Sequence, residues 1–482
     1  MIPDDGRMQT INKEGVMTVQ ATARVIPIGI HDNAWRDDFF EFLNETADRI
    51  LRETLMEKIE DFTRAVLDAK SDILGQLTLG FIKNRHRPLF EQEYCDCPVC
   101  GKRVKCANKE AKRKVESLGG SFFLCRPYFH CKNCGTGFCP LDEALGLASS
   151  PKQYDIQDIE AWLSSELPFK TAEEAYERTT GNSLSTGHMH ETTKKIADGI
   201  GILDVCPTKT EILQIIDDIA KNNFRRPVMM LAIDGAHAPT RPEPSPRKGK
   251  RGKGEWKEIK GLRLYLIDGN RIVHLISWHQ VGTDRELAAD LRTIAKAGLI
   301  PEDRVRLCVI GDGADRIWNR TSELFPTAKI VLDFWHCSEH LHEAANAQFG
   351  KGTPEARTLV EASLTRLFDN DPDNVIAEFR SIKPDSKTAE EKINGVVRYL
   401  LNHEEGVNYG KAKRGGYHIG SGAIESANKF IGHVRLKRSG AWWYKSNANN
   451  ILKLRCAKYN GTYEKIVKKF VETDREKTYR RA

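Results

Sequence analysis

The stretch VMMLAIDGAHAP, Val228–Pro239, runs an unbroken apolar segment directly into an aspartate and a glycine. Such a run reads as a β-strand covered on both faces. Asp234 then sits where the strand leaves the core, and Gly235 is expected to turn the chain away. The signature recurs in RVRLCVIGDGA (304–314), where Asp312 precedes Gly313. Between the two lie the alternating segments GLRLYLID (261–268) and RIVHLISWH (271–279), joined by Gly269-Asn270, a good hairpin pair. A helical pattern follows over Asp284–Ala297. Beyond the second aspartate come a helix over Ala314–Leu324 and a fifth strand, KIVLDFWH (329–336). Residues 337–413 read as wholly helical. The loop KRGGYHIGSG then leads to a helix from about Ser421, its expected cap, with Glu425 one turn in.

Taken singly, each Asp-Gly is an ordinary turn signal. Together, the order strand-Asp, hairpin, helix, strand-Asp, helical stretch, helix-Glu points to one acidic cleft. Rigid strand ends present carboxylates well, and two Mg²⁺ (or Mn²⁺) ions about 3.5–4 Å apart need such ligands to work on a phosphodiester. The oxygens of Asp234, Asp312 and Glu425 are therefore expected within roughly 4–8 Å of one another. Asp315 is the alternative to Asp312, which is preferred because strand ends project into clefts more reliably.

Upstream, Cys97-Pro-Val-Cys100-Gly and Cys131-Lys-Asn-Cys134-Gly form two matching knuckles. Two-residue spacers let both thiolates of a knuckle face one tetrahedral Zn²⁺, and four cysteines leave no open position, so a structural site is expected. The 30 residues between the knuckles must fold as a hairpin. From Trp35 to about Lys83, apolar residues recur at helical spacing, giving one long helix or two with a kink that pairs with its own chain or a second copy. In residues 153–200, Gly181-Asn182 and the Ser185 cap separate two helices at helix-turn-helix spacing; a plain helical hairpin fits as well.

Charge is unevenly spread. The chain carries a net +7, but Lys429–Ala482 holds 15 Lys and Arg against 4 Asp and Glu. A polyanion would meet that segment first. Candidate phosphate contacts are Arg247, Lys248, Lys250, Arg251 and Lys253 in the Pro/Gly-rich loop after the first strand, and Arg435, Lys437 and Arg438 past Glu425. Trp442 and Trp443 read as core, with base stacking as the alternative. No stretch approaches the roughly 18 apolar residues of a membrane span, so a soluble interior protein is expected.

The element order resembles a ribonuclease-H-like core of the DDE recombinase type with a helical insertion. YFHCKNCGTGFCPLDEALGL, AIDGAHAP, VIGDGADRIW, VLDFWHCSEHL and IGSGAIESANKFIGHVRLKRSGAWW together look like bacterial insertion-sequence transposases of the ISKra type, distantly Mutator-like. The likeness spans roughly residues 90–460. It implies Asp234, Asp312 and Glu425 as the DDE triad, and Asp333 and His336 as the motif that opens the insertion. It further implies a magnesium-dependent DNA transposase in the bacterial cytoplasm, associated with the nucleoid. Such an enzyme would act as an endonuclease on transposon ends and join them to double-stranded target DNA, as a homodimer or higher oligomer. The alternatives are a domesticated DNA-binding regulator that no longer cuts, and a nuclease without strand transfer.

The expected architecture is thus multidomain, α+β and α/β. It comprises a helical N-terminal region that is a candidate for dimerisation (1–90), a four-cysteine zinc-ribbon-like module (91–148) and a helix-turn-helix-like region (149–222). The ribonuclease-H-like core begins at 223–336, is interrupted by an all-helical insertion (337–416), and ends with its last helix and a basic tail (417–482).

Overall fold

A computed structural model describes residues 34–53, 57–221, 223–243, 253–313 and 315–479. Its architecture is mixed α and β, with two separate sheets. The first has four strands in sequential antiparallel order: β1 (Tyr94–Asp96), β2 (Arg103–Ser117), β3 (Gly120–His130) and β4 (Gly137–Phe138). The long β2–β3 hairpin fills the gap between the cysteine knuckles, as the spacing requires.

The second sheet has the order β7-β6-β5-β8-β9. Its members are β5 (Val228–Thr240), β6 (Glu255–Asp268), β7 (Arg271–Val281), β8 (Arg306–Gly311) and β9 (Lys329–Leu332). The first three are antiparallel neighbours, while β8 runs parallel to β5 and β9 parallel to β8. The most apolar strand, β5, is central, and Val228–Ile233 are buried throughout. It does not end at Asp234. The β5–β6 pairing continues to Thr240 opposite Glu255, whereas the β5–β8 pairing stops at Ala232 opposite Ile310. Asp234 therefore lies where one neighbour departs, not where the strand stops, and Gly235 stays in the ladder opposite Lys260.

Between β7 and β8 lies the helix Asp284–Lys296, whose start is closed by a capping box of Thr283 with Glu286. After β9 the chain is helical, with principal helices Phe334–Phe349, Pro354–Phe368, Pro372–Ser381 and Lys387–Asn402. It returns through Gly422–Ala427, a π-helical turn Asn428–His433 and Val434–Leu436. The expected basic tail is instead two further helices, Lys445–Tyr459 and Tyr463–Tyr479. The first packs on β7 and on the helices Tyr154–Glu166 and Thr186–Ala197.

The N-terminal helical stretch is two helices, Ala34–Glu53 and Ile59–Arg85, packed on each other, with Trp35 edge-on to Phe81 at 5.4 Å. The second also lies across β3 so closely that a Cβ on Gly75 would stand 2.2 Å from the Ser121 carbonyl oxygen. Among the described residues, no helix is long and apolar enough to cross a membrane.

The crossing at Gly75 supplies a test. Gly75→Ala must push backbone aside, and overpacking of this kind typically costs about 1–3 kcal/mol. Gly187, in the helix Thr186–Ala197, has open space where its Cβ would go. Gly187→Ala is expected to stabilise by about 0.5–1 kcal/mol. Thermal melting of the two variants should therefore move in opposite directions.

Candidate functional site

The four knuckle cysteines come together: Cys97, Cys100, Cys131 and Cys134 place their sulfurs within 4.8 Å of one another. The cross-knuckle pairs Cys97–Cys134 and Cys100–Cys131 are both 3.5 Å apart. Each knuckle closes alike, with Gly101 N–H donating to the Cys97 carbonyl and Gly135 N–H to the Cys131 carbonyl. Both glycines have positive φ, 69° and 73°. The Thr136 hydroxyl, 3.2 Å from Cys134 Sγ, and its backbone hold that thiol down to about 6. Four soft sulfurs in this geometry can hold a zinc ion. Cys95, Cys106, Cys125 and Cys139 join no such cluster.

Asp234 stands at the edge where β8 leaves β5. Asp234 Oδ1 accepts from the Gly235 amide at 2.7 Å, and Oδ2 from Asn428 Nδ2 at 2.7 Å. Asn428 Oδ1 in turn lies 2.8 Å from Nε2 of His279, a fully buried residue of β7 held neutral, its pKa pushed down to about 4 by burial. A side chain on Gly261, opposite Asp234, would collide with this chain of bonds, at 2.7 Å from His279 and 2.8 Å from Asn428. Glu425 stands three residues before Asn428, on the same flank of the helical segment. Its Oε1 accepts from the Ser421 hydroxyl at 2.7 Å. Ser421 therefore holds Glu425 itself and makes no side-chain cap to the helix backbone.

Asp312 follows β8 directly, and its carbonyl accepts from the Tyr399 hydroxyl at 3.0 Å. Burial pushes the Asp234 carboxyl up to about 6; the charges of Asp312 and Glu425 add to the shift, while Gly235 and His336 oppose it. Asp234 thus feels both of the other acids. The three are not a closed ligand set, since among the described residues only the cysteines meet the 4.8 Å limit.

Asp333 and His336 belong to the same place. Asp333 is fully buried and accepts from His336 Nδ1 at 2.7 Å, from the His336 amide at 3.1 Å and from the Ser421 amide at 2.6 Å. This bond to Asp333 raises His336 to about 9, with Asp312 and Asp234 contributing. His336 thereby carries positive charge beside the acids. The stability it contributes is complete below its ordinary 6.5 and is lost as pH rises through about 9.

The cationic candidates divide. Arg247, Lys248, Lys250 and Arg251 lie outside the described residues. Lys253, Lys437 and Arg438 are exposed. Arg435 is not a surface clamp: it is 2% exposed, donates to the Ser164 carbonyl and lies over Trp443, 4.8 Å from the ring centroid. Its Nε–H joins the returning segment to the helix Tyr154–Glu166. The pair of tryptophans is also split, with Trp443 turned in and Trp442 out. Sequence reasoning missed Asn428 and His279. The placement of Asn428 one turn beyond Glu425 was a usable signal, whereas nothing local marks His279.

In the helix-turn-helix-like region, Gly181 ends the helix Phe169–Thr180 and Ser185 caps Thr186–Ala197. Lys194 and Lys195 remain exposed, while Met189, Thr193 and Ile196 are buried.

Residues 300–473 match UPF0236, described as an uncharacterised protein family. That span takes in Asp312, Asp333, His336 and Glu425 but not Asp234. The chain is also similar to the "UPF0236 protein in vanSb 3'region" of Streptococcus gallolyticus, 23% identical over 340 residues, which cover 68% of each chain. Among solved structures it matches the Drosophila P element transposase strand transfer complex at 12% identity. That match covers 66% of this chain and 80% of the other, with a TM-score of 0.23, too slight a likeness to bear on fold or site.

Two measurements probe the two centres. Purified protein is expected to carry one zinc, and Cys131→Ser to lose it and melt earlier. A variant that keeps full metal content would rule out the cysteine site. For the acids, ionising Asp234 costs on the order of 3 kcal/mol in the folded chain, from a shift of 3.8 to about 6. That cost is absent below pH 4 and complete above pH 6, and a bound cation offsets it. Mg²⁺ should therefore raise the melting temperature at pH 8 much more than at pH 5, and Asp234→Asn should remove the response.

Proposed function

We propose that this chain is a DNA transposase of the DDE type. It would bind transposon ends, hydrolyse a phosphodiester there, and join the freed 3′-hydroxyl to target DNA. The observation that supports this reading is Asp234, buried where the parallel part of the sheet parts from the antiparallel part, with its carboxyl pushed up by burial and by the charges of Asp312 and Glu425. The sheet order supports it too. Three antiparallel strands followed by two parallel ones, with β5 central, is the arrangement expected of a ribonuclease-H-like core, and the helical run after β9 is the expected insertion.

The donor set fits magnesium. It consists of hard carboxylate oxygens on a rigid frame, one of which is costly to ionise without a cation. Asp234, Asp312 and Glu425 would hold the metal, which would supply charge neutralisation at the reacting oxygens. The remaining steps fall to this chain. Asn428 and the Gly235 amide fix both oxygens of Asp234, and His279 fixes Asn428. Ser421 fixes Glu425, and Asp333 fixes Ser421. His336 lends positive charge to a cleft that must admit a phosphate among three acids. Phosphoryl transfer needs little else than positioning and charge.

Within this reading the cysteine module and the paired helices over 149–222 grip the DNA ends, and the N-terminal helices join copies of the chain. Lys253, Lys437 and Arg438 contact backbone phosphates.

The test is a cleavage and strand-transfer assay with Mg²⁺ on DNA containing the element's ends. Asp234→Ala and Glu425→Ala are each expected to reduce both reactions at least 1000-fold while leaving DNA binding within a few-fold. Persistent strand transfer in either variant would overturn the assignment. Cleavage without strand transfer in the parent protein would instead leave a nuclease.

A further inference from the structure

At the far tip of the β5–β6 ribbon two tryptophans face solvent. Trp256 is 58% exposed and Trp442 is 41% exposed. They are held there. Trp256 pairs with Pro239 in the ladder, and the neighbouring Thr240 bridges to Trp443. Trp443 N–H donates to the Pro239 carbonyl at 3.0 Å, and Arg241 N–H to the Trp443 carbonyl at 2.8 Å. These bonds pin the loop that carries Trp442 to the end of β5. The Trp442 ring lies on Gly254, where a Cβ would stand 2.2 Å from it. Lys437 places its ammonium 6.0 Å from the centroid of the Trp256 ring. Lys253 and Arg438, close to the pair in sequence, are exposed. Of the nearby acids, Glu255 pairs with Lys257 at 2.9 Å and Glu243 accepts from the Ser446 hydroxyl at 2.8 Å.

We propose that Trp256, Lys437 and Trp442 form a docking site for unpaired DNA bases, with the surrounding cations on the adjoining phosphates. An apolar protein partner would leave these interleaved cations desolvated, whereas a single strand offers a π-face and an anion at every nucleotide. The backbone carrying Trp442 is pinned before binding and its ring rests on Gly254, so less entropy is lost when a base stacks there. The patch lies five residues along β5 from Asp234, or about 17 Å at strand rise, and so is separate from the acidic cleft. The choice of DNA rests on the function proposed above. The assignment of stacking to these rings does not.

The experiment uses the full chain with its zinc in place and no added magnesium, so that no cleavage takes place. Its probes are a blunt 30-base-pair duplex and the same duplex with a five-nucleotide single-stranded extension, read by fluorescence anisotropy. The tailed duplex is expected to bind about ten-fold tighter, since stacking contributes on that scale per base. Trp256→Ala with Trp442→Ala should abolish the preference and leave blunt-duplex affinity within two-fold. Trp256→Phe with Trp442→Phe should retain most of it. Lys437→Ala should weaken both probes alike and flatten the salt dependence. Circular dichroism melts check that each variant is folded.

The proposal fails if the parent shows no preference, or if the preference survives the double alanine variant. It also fails if that variant instead loses binding to anionic lipid vesicles or self-association. Because no magnesium is present, a patch that fails leaves the cleavage reading untouched, and cleavage that fails leaves the stacking result standing.

Discussion

One buried carboxylate ties together the parts that must meet for the acidic cleft to exist. Asp333 has no exposed surface, ends β9 and caps the first insertion helix, and accepts the amide of Ser421 some 88 residues later. Burial alone would raise its pKa. The His336 ring and amide and the Ser421 amide outweigh that and hold it below its ordinary value. A buried anion missing one such partner is strongly destabilising, so the helical excursion between β9 and Gly422 must close on itself to within a hydrogen bond. That closure also fixes Ser421, which holds Glu425. The insertion is thus an enforced loop whose two ends are locked to one oxygen pair.

A second set of bonds locks the opposite side. Asn428 takes its orientation from His279 and gives its amide to Asp234, so the position of the acid on β5 depends on a histidine two strands away. The π-helical turn begins at Asn428 itself. Such turns recur at functional sites because they re-aim side chains within an otherwise regular helix. Here the change of winding falls between Glu425, held by Ser421, and Arg435, held in the core by Ser164.

Much of this was legible from local pattern. The apolar runs, the Gly269-Asn270 turn and the paired cysteine knuckles each have a short-range physical cause and produce the element they signal, whereas the turn expected at Gly235 does not form. What escaped was set by partners distant in sequence. Nothing in VMMLAIDGAHAP shows that β6 continues beside β5 to Thr240 after β8 has left. Arg435 reads as a surface cation beside Lys437 and Arg438; only the approach of the helix Tyr154–Glu166 supplies the carbonyl that draws it inside. The basic C-terminal segment folds as helices because Ile451, Leu452, Leu454 and Ile466 find apolar cover among earlier helices and strands.

The last helix has a consequence for how the chain is made. Tyr154 donates to Asp474, Arg475 to the Gly146 carbonyl and Tyr479 to the Leu147 carbonyl, all across more than 300 residues. Contacts of such long sequence separation form slowly, because the loop must close before they give anything back. During synthesis the cysteine module and the sheet are both complete before this strap exists. The helix Tyr463–Tyr479 then adds a late tie between the segment after the cysteine module and the far end of the described chain.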